Sequence, residues 1–210
     1  MKKFLTYRLF KRSCDLALAC FLILFLIPIF LLVALVIKAS SRGPILFSQR
    51  RIGKNKRPFS CYKFRTMHPE ADFMLTELLK SNKDIQNEFA RDQKLLNDPR
   101  ITSVGRYLRF TSLDEIPQIF NILKGEMSFI GPRPIIKDEI KRYGESFEKA
   151  FSVLPGMSGL WQVSGRNKLS YKRRVQLDVI YANNLSFKLD LNILFRTIGV
   201  ILFPFDRGAF

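Results

Sequence analysis

The strongest hydropathy pattern in the chain is an uncharged apolar run from Leu16 to Ile37, LALACFLILFLIPIFLLVALVI. A continuous helix of this length would be about 33 Å long, enough to cross a hydrocarbon core of roughly 30 Å. Pro28 lies near the middle of the run, where it removes a helical hydrogen bond and favours a bend. The pattern therefore predicts a membrane helix that bends at Pro28.

Basic side chains flank this run on both sides. Five precede it, and residues 38–66 carry nine basic side chains and no acidic one. Under the positive-inside rule both flanks are cytoplasmic, which a single crossing cannot satisfy. A re-entrant helix, which enters one leaflet, bends at Pro28 and returns, does satisfy the rule. Two alternatives stay open: a kinked spanning helix, and a cleaved signal peptide, for which the run is long and Lys38 lies where a small-residue cleavage site should be.

The rest of the chain is mostly helical in pattern. Two β-capable stretches, about 45–51 and 59–64, surround a Gly-Lys-Asn-Lys-Arg-Pro turn and predict a short basic hairpin. Helices are expected in a polar surface insert at about 69–96, near 102–110, from about 117 to Gly125, over 135–152, and at about 170–183 and 188–203. The last helix is apolar around most of its circumference, so it either packs in the core or lies along the bilayer.

These patterns define a fold class and a division of the chain. The fold is expected to be mainly α with a small β-hairpin (α+β), in a monotopic membrane protein whose N-terminal re-entrant helix bends at Pro28. Residues 1–42 form the basic N-terminus and the membrane helix. Residues 43–210 form one membrane-associated domain on the cytoplasmic side, with no linker that divides it.

The charge balance changes the picture of what the protein binds. The chain has 35 Lys and Arg against 18 Asp and Glu, a net charge of +17, which favours nucleic acid, an anionic membrane face or a phosphorylated substrate as partner. The single histidine, His68, disfavours a Ser-His-Asp triad and excludes an HExxH zinc site. Three cysteines without a CxxC pair argue against a disulfide framework and against a zinc site.

Two adjacent carboxylates, Asp114 and Glu115, are the first candidates for chemistry. Pro117 follows them, so both are expected on the turn that enters a helix, near the positive end of its dipole. Stability alone favours acidic residues at that position, and Ser112 with Glu115 matches a capping box. The spacing by itself leaves a structural and a catalytic interpretation open.

A second motif, Gly131-Pro132-Arg133-Pro134, places an arginine between two prolines. The prolines restrict the backbone and pre-orient the guanidinium for bidentate phosphate binding, although a structural arginine fits the motif equally well. With the acidic pair, the motif indicates phosphoryl transfer, with a carboxylate nucleophile, a second carboxylate for Mg²⁺ and an arginine for the phosphate oxygens.

Two further groups of residues are candidates for substrate binding. Lys63 and Arg65 lie two apart on a predicted strand, so both face one side, where they contact phosphate or form a solvated basic edge. A loop after Trp161 offers donors and acceptors for a nucleotide or a sugar through Gln162, Arg166 and Asn167. The tryptophan itself is expected in the core rather than as a stacking platform.

At these residues the sequence resembles the bacterial sugar transferase family of monotopic phosphoglycosyl transferases. The matching pieces are the basic-apolar-proline N-terminus, YKFRTM at 62–67, SLDEIPQIFNILKGEMSFIGPRP at 112–134, PGMSGLWQVSGRN at 155–167 and the LDVIYANN…LDLNILF tail. They cover most of the chain, the long central motif is highly specific, and the insert at 69–96 is the least matched part. The family often has a serine before the bend proline, where Ile27 stands here.

The resemblance implies an enzyme of the bacterial inner membrane with its catalytic domain on the cytoplasmic face. It would move a sugar 1-phosphate from a nucleotide diphosphate sugar, usually a UDP-sugar, to undecaprenyl phosphate, as the first membrane step of a glycoconjugate pathway. Carried onto this chain, Asp114 attacks the β-phosphate, UMP leaves, and a phosphosugar-aspartyl intermediate passes to the lipid. Glu115 would hold Mg²⁺ and Arg133 would bind the phosphate. The chain resembles the minimal single-domain form.

Two other functions compete with this one. A membrane-tethered nucleic-acid-binding protein is not expected, because the aromatic residues lie in apolar runs instead of alternating with basic residues. An inactive scaffold subunit of an envelope polysaccharide complex is the alternative that the sequence leaves open. The identity of the sugar and the presence of a homo-oligomer are open as well.

Overall fold

The structure, a computed structural model, describes residues 2–92, 95 and 97–202. Its elements in chain order are α1 (Lys2–Ser40), β1 (Leu46–Ile52), β2 (Pro58–Phe64), α2 (Ala71–Ser81), α3 (Lys83–Asp92), α4 (Ser103–Thr111), α5 (Gln118–Lys124), β3 (Ser128–Ile130), α6 (Ile140–Tyr143), α7 (Ser146–Ala150), β4 (Gly156–Ser158), α8 (Tyr171–Asn183) and α9 (Phe187–Leu202). The fold is mainly α with a small antiparallel hairpin, which confirms the expected class.

The helix α1 contains the apolar run and continues through Pro28. Its segment Thr6–Ser40, 35 residues, is long and apolar enough to cross a membrane by length and composition. Much of its apolar surface is exposed, through Phe21, Leu24, Phe25, Ile27, Ile29, Leu31, Leu32, Leu35 and Val36. Such a continuous apolar surface is typical of a helix that contacts lipid. The bend and the re-entrant path stay predictions.

The rest of the protein packs against α1 on both sides of its proline. Towards the N-terminus, Ala19 is fully buried in a cluster that contains Ile122 of α5. Towards the C-terminus, Ile37 is buried with Phe64 of β2 and Leu108 of α4. One face of α1 is therefore shared with the domain along most of its length. The division at residues 42 and 43 stays a prediction.

Polar contacts fix the start of α1 to the other end of the chain. The Asp190 carboxylate of α9 accepts hydrogen bonds from the Tyr7 hydroxyl and the Lys11 ammonium, each at 2.7 Å. Arg12 donates to the carbonyl of Ile122 at 2.6 Å, close to the C-terminus of α5. Arg12 also donates to the neighbouring carbonyl of Leu123 at 3.1 Å, so it supplements the hydrogen bonds at this helix end.

The predicted hairpin is present and has the predicted turn. β1 and β2 pair antiparallel, with Leu46 opposite Phe64 and Ile52 opposite Pro58. A short 3-10 turn, Lys54–Lys56, joins them. Asn55 within this turn has a φ of 54°, in the left-handed region that asparagine tolerates better than most residues.

The surface insert is helical, as predicted, and consists of α2 and α3. α2 contains no buried residue. The two helices contact each other, and the Asn82 side chain between them accepts from the backbone N–H of Asp84 at 2.8 Å. Residues 93, 94 and 96 of the predicted insert lie outside the described part of the chain.

The single helix predicted over 135–152 is wrong. A 3-10 turn at Lys137–Glu139 leads into two short helices, α6 and α7. Gly144 separates them with a φ of 52° and a ψ of −134°, which a helix interior does not allow. The apolar spacing did identify a buried face, because Tyr143, Phe147 and Phe151 belong to one core cluster.

A parallel pair of short strands, which the sequence did not predict, holds the Gly131–Pro134 loop. Ser128 of β3 lies opposite Gly156 of β4. Gly131 lies against the backbone that leads into β4, where an added Cβ would meet the Leu154 carbonyl at 2.4 Å. The contact leaves no room for a side chain, so the loop that carries Arg133 has a fixed support.

The tail forms α8 and α9, as predicted, although residue 203 lies outside the described part. The core interpretation of the last helix is confirmed for one face, and its position along the bilayer stays a prediction. Ile193 and Val200 are buried on one face of α9, while Phe187, Phe195 and Leu202 are exposed on another. α9 therefore packs in the core and also presents apolar surface.

Candidate active site

The two acidic residues lie on a 3-10 turn, Leu113–Glu115, between α4 and α5. Ser112 before the turn has a left-handed backbone, with φ 59° and ψ 15°, which ends α4 and redirects the chain. The capping box suggested by Ser112 and Glu115 is not formed, because Ser112 makes no capping hydrogen bond and the Glu115 carboxylate binds Lys63 instead. α5 then begins at Gln118, close to the predicted start.

Lys63 of β2 joins the two carboxylates. Its Nζ lies 2.6 Å from Oε1 of Glu115 and 3.6 Å from Oδ2 of Asp114. Asn121 of α5 fixes the strand beside it, because its side-chain oxygen accepts from the Tyr62 backbone N–H at 3.0 Å. The structure thus brings Lys63 to the acidic pair. Its predicted phosphate contact stays a prediction.

Asp114 is a buried carboxyl, 6% exposed. Burial raises its pKa above the ordinary value, the Lys63 charge opposes that shift, and the neighbouring Glu115 charge adds to it. Arg109 of α4 also lowers this pKa. A desolvated carboxyl between two cations has the surroundings of a reactive group more than those of a surface acid.

Glu115 responds in the opposite direction, although it is the next residue. Burial alone would raise its pKa, but the charges of Lys63, Arg133 and Arg51 outweigh burial and lower the pKa to about 2. This carboxyl is therefore ionised at neutral pH. An ionised oxygen ligand is what a hard divalent cation requires.

Arg133 is half-buried in its proline-flanked loop. Within the residues that the structure describes, no hydrogen bond or ion pair engages its guanidinium, yet its charge acts on Glu115. Arg51 and Arg174 lie close enough that the charge of Arg133, after burial, lowers the pKa of each. A half-buried guanidinium without an acceptor favours an anionic ligand. We call Lys63, Asp114, Glu115 and Arg133 the charged cleft.

Two arginines near the acidic pair were not predicted from the sequence. Arg109 donates from Nε to the Thr66 hydroxyl at 2.9 Å while its charge acts on Asp114. Arg51 donates to the carbonyl of Pro134 and contributes to the low pKa of Glu115. Arg109 precedes Asp114 by only five positions, so its place in the sequence could have indicated its role near the acidic pair.

Arg65 makes contacts of a different kind from those of Lys63. It is buried and donates to the carbonyls of Ser41 and Arg42 at 2.9 and 3.0 Å, just after α1 ends. It lies after the last residue of β2. Arg65 therefore ties α1 to the hairpin in the structure, and its phosphate contact stays a prediction.

The predicted substrate loop is only partly defined. Gln162 donates to the carbonyl of Met157 at 3.0 Å, and its buried Oε1 has no partner among the described residues. Arg166 is half-buried in a 3-10 turn, with a φ of 51°, and the side chain of Asn167 lies outside the described part. Trp161 is buried beneath Arg174, whose guanidinium lies 5.0 Å from the ring, which agrees with a core role. Substrate binding by this loop stays a prediction.

An apolar groove of about 150 Å³ lies between α1 and α5. Its lining comes entirely from apolar side chains: Ile23, Leu26, Ile27, Phe30, Leu31, Ile116, Ile119 and Phe120. Ile116 directly follows Glu115, so the groove begins one residue from the charged cleft. Ile27 and Leu31 are also exposed on the outer surface of α1. The groove thus borders the exposed apolar surface of α1 and lies next to the charged cleft along the chain.

The donor set for Mg²⁺ is small. Within the described ranges no group of three or more His, Cys, Asp or Glu side chains could hold a metal. The acidic pair offers two carboxylates, and Lys63 engages Oε1 of Glu115. Mg²⁺ commonly takes one or two carboxylates and completes its shell with water and substrate phosphates. The residues therefore fit an ion that binds together with a diphosphate, and they do not form a cage of their own.

A sequence profile described as bacterial sugar transferase matches residues 6–204. The chain belongs to the bacterial sugar transferase family. Among its relatives, the exopolysaccharide production protein ExoY of Sinorhizobium fredii is 45% identical over 95% of this chain and 88% of its own length. The undecaprenyl-phosphate galactose phosphotransferase of Salmonella typhimurium is 44% identical over 93% of this chain.

The relatives of this sugar transferase differ in length. The chain spans 41% of the Salmonella protein. It likewise spans 37% of the undecaprenyl-phosphate glucose phosphotransferase of Komagataeibacter xylinus, which is 39% identical over 95% of this chain. In each case the matched part covers nearly all of the chain described above.

Proposed function

We propose that this sugar transferase moves a sugar 1-phosphate from a nucleotide diphosphate sugar, a UDP-sugar in the first instance, to undecaprenyl phosphate. The observation that carries the proposal is the charged cleft beside an apolar groove, with the acidic pair at their junction. Relatives whose names specify an undecaprenyl-phosphate sugar phosphotransferase support it. The product would enter a bacterial glycoconjugate pathway.

Asp114 is the nucleophile in this proposal. One of its carboxylate oxygens attacks the β-phosphorus of the donor, an O–P bond forms, and the bond from the β-phosphorus to the bridging oxygen breaks so that UMP leaves with that oxygen. An oxygen of the lipid phosphate then attacks the same phosphorus. The aspartyl O–P bond breaks, which restores the carboxylate and yields a polyprenyl diphosphate sugar. Neither step requires a histidine base, because both nucleophiles are anionic.

The other cleft residues stabilise charge on the phosphates. Arg133 offers an unengaged guanidinium to phosphate oxygens, and Lys63 offsets one of the two negative charges of the acidic pair, which reduces its repulsion of an anionic donor. Glu115, ionised because of its low pKa, is the residue that would hold Mg²⁺. When bound, Mg²⁺ would neutralise charge on the diphosphate.

We assign the apolar groove to the isoprene units that lie next to the phosphate of the acceptor. A long isoprenoid requires an apolar path that ends near the reacting carboxylate, and the groove lies one residue from Glu115. Its rim includes the exposed side chains of Ile27 and Leu31 on α1. The lipid would therefore reach the cleft without leaving the apolar environment of the bilayer.

The contacts of α1 support a monotopic position, and the basic residues on both flanks of its apolar run support the cytoplasmic face of the inner membrane. A helix that crosses the bilayer surrounded by lipid contacts its soluble domain only at one end. Here the domain packs against α1 from Ala19 to Ile37, on both sides of Pro28. Cysteines at positions 3 and 42, in a Cys14→Ser, Cys20→Ser background, should both react from the cytoplasmic side, whereas labelling from opposite sides would establish a crossing.

The reaction itself is tested with purified protein, undecaprenyl phosphate, Mg²⁺ and a panel of UDP-sugars, scored for UMP. At least one donor should release UMP and yield a lipid-linked sugar. A folded protein that releases UMP from no nucleotide sugar in the panel would instead match the inactive scaffold alternative.

A further inference from the structure

Asp178 of α8 is a fully buried carboxyl that the proposed reaction does not use. It is 0% exposed, and its Oδ2 accepts a hydrogen bond from the Tyr143 hydroxyl at 2.7 Å. Its Oδ1 is buried without a partner among the described residues. Buried carboxylate oxygens are almost always paired, because desolvation without a hydrogen bond is unfavourable. Burial raises the pKa of Asp178 to about 8, while Tyr143 and the Arg133 charge lower it.

Arg133, in turn, lacks a hydrogen-bond acceptor for its guanidinium within the described chain, although the side chain is half-buried. The charge of Arg133 lowers the pKa of Asp178, as the hydrogen bond from Tyr143 does. An unpaired buried acceptor and an unpaired half-buried donor therefore lie in the same part of the protein, with no ion pair within 4.0 Å between them.

The packing of α8 shows why the two groups are close. Arg174 and Asp178 are four positions apart on α8, so they share a face of the helix. Both interact electrostatically with Arg133. Ile135, two residues after Arg133, belongs to the same buried cluster as Tyr143 and Val175. The arginine loop thus packs on the face of α8 that carries Asp178.

We propose that Asp178, held by the Tyr143 hydroxyl, is a positioning residue that orients the Arg133 guanidinium towards the phosphate of the donor. The inference rests on the proposed function, because the phosphate belongs to that reaction. A guanidinium has five N–H donors in a planar fork, so one edge can bind a carboxylate while the other binds phosphate oxygens. Asp178 acts through Arg133 and does not touch the substrate.

The test is a double-mutant cycle on the binding of UDP, measured by calorimetry at pH 9, above the pKa of about 8 of Asp178, with the detergent-purified full chain. Asp178→Asn keeps the size of the side chain and an acceptor for Tyr143, but it removes the charge. We expect UDP binding about tenfold weaker, the range for loss of one hydrogen bond to a charged group. In an Arg133→Ala background, the same substitution should change UDP binding less than about twofold, because nothing remains to be oriented.

Asp190 provides a matched control. It is also a buried carboxylate bound by tyrosine hydroxyls, those of Tyr7 and Tyr181, each at 2.7 Å. Asp190→Asn should lower the melting temperature and leave UDP affinity within about twofold of the wild type. If Asp178→Asn does not fold, Tyr143→Phe decides, since it frees the carboxylate and should weaken UDP binding only when Arg133 is present.

The outcomes separate the two ideas. Wild-type protein that binds no UDP would overturn the proposed function and this inference together. If the wild type binds UDP and Arg133→Ala weakens it, but Asp178→Asn does not, only the positioning role fails. It also fails if Asp178→Asn is as harmful without Arg133 as with it, because that result marks a purely structural carboxyl.

Discussion

The charged cleft and the apolar groove contain adjacent residues of the chain but differ completely in polarity. Glu115 belongs to the cleft, where it forms a 2.6 Å ion pair with Lys63, while the next residue, Ile116, lines a groove of apolar side chains. In the proposed function, the same short turn would present a carboxylate to a water-soluble phosphate and an apolar side chain to a lipid. The difference teaches how one site could serve two substrates from different phases.

The largest expected effect is the loss of the proposed nucleophile, Asp114. Asp114→Asn preserves size but cannot form the aspartyl phosphate, so turnover should fall on the order of 10⁴-fold or more. UMP release from the active UDP-sugar measures it. Asp98→Asn is the control, because Asp98 is also buried but pairs with Arg100 outside the cleft. Equal activity of Asp114→Asn and wild type would remove Asp114 from the mechanism.

Substitution of Arg133 is expected to weaken binding of the nucleotide sugar. Arg133→Ala should raise the KM for the nucleotide sugar about 10²-fold, because charge-assisted hydrogen bonds to phosphate are lost. Arg133→Lys should recover part of the loss, since the charge returns without the bidentate geometry. Initial rates over a range of donor concentrations measure both. A lysine variant as impaired as the alanine variant would argue for a structural arginine.

Narrowing the groove should affect the lipid alone. Ile27→Trp together with Leu31→Trp fills the rim, so the KM for undecaprenyl phosphate should rise about tenfold while UDP binding is unchanged. Leu35→Trp is the matched control, because Leu35 is exposed on α1 but does not line the groove. Similar effects of Leu35→Trp and of the rim variant would place the lipid elsewhere.

The smallest expected effect is on stability in acid. The folded-state pKa of Glu115, about 2, is below the ordinary value of 4.5, so its contribution to stability is complete above about pH 4.5 and is lost as the pH falls towards 2. Lys63 lowers the pKa of Glu115 and opposes the rise in the pKa of Asp114. Lys63→Met should therefore reduce the fall in melting temperature between pH 7 and pH 2 by a few degrees, about the shift that a change of 1 kcal/mol in stability produces.

Thermal melts between pH 2 and 7 measure this slope. Lys80→Met is the control, because Lys80 pairs with Glu77 on an exposed face of α2. An unchanged slope in Lys63→Met would show that the lysine does not govern the titration of the acidic pair.

The sequence predicted the local elements well, because local signals determine them. The hairpin turn at Lys54–Lys56 and the end of α5 at Gly125, with a φ of 79°, follow from residues within a few positions of each other. The helix predicted over 135–152 failed at Gly144, since apolar spacing continues across the break and hides it. β3 and β4 were missed because three residues in each strand are too few to show a period.

The site was predicted in its residues but not in its contacts. Asp114, Glu115 and Arg133 are marked by turn chemistry and prolines within one motif. The contact of Lys63 with Glu115 spans 52 positions, and the one between Tyr143 and Asp178 spans 35, so neither follows from local pattern. Opposite pKa shifts at neighbouring carboxyls depend on burial and on distant cations, which only the folded chain defines.

The most direct test of the account is to incubate the protein with a labelled UDP-sugar and Mg²⁺ in the absence of lipid acceptor. Mass spectrometry of the digested protein should find one phosphosugar on the peptide that contains Asp114, together with one equivalent of UMP. Addition of undecaprenyl phosphate should then release the label as a lipid-linked sugar. UMP formation that requires the lipid from the start, with no adduct on Asp114, would contradict the covalent mechanism.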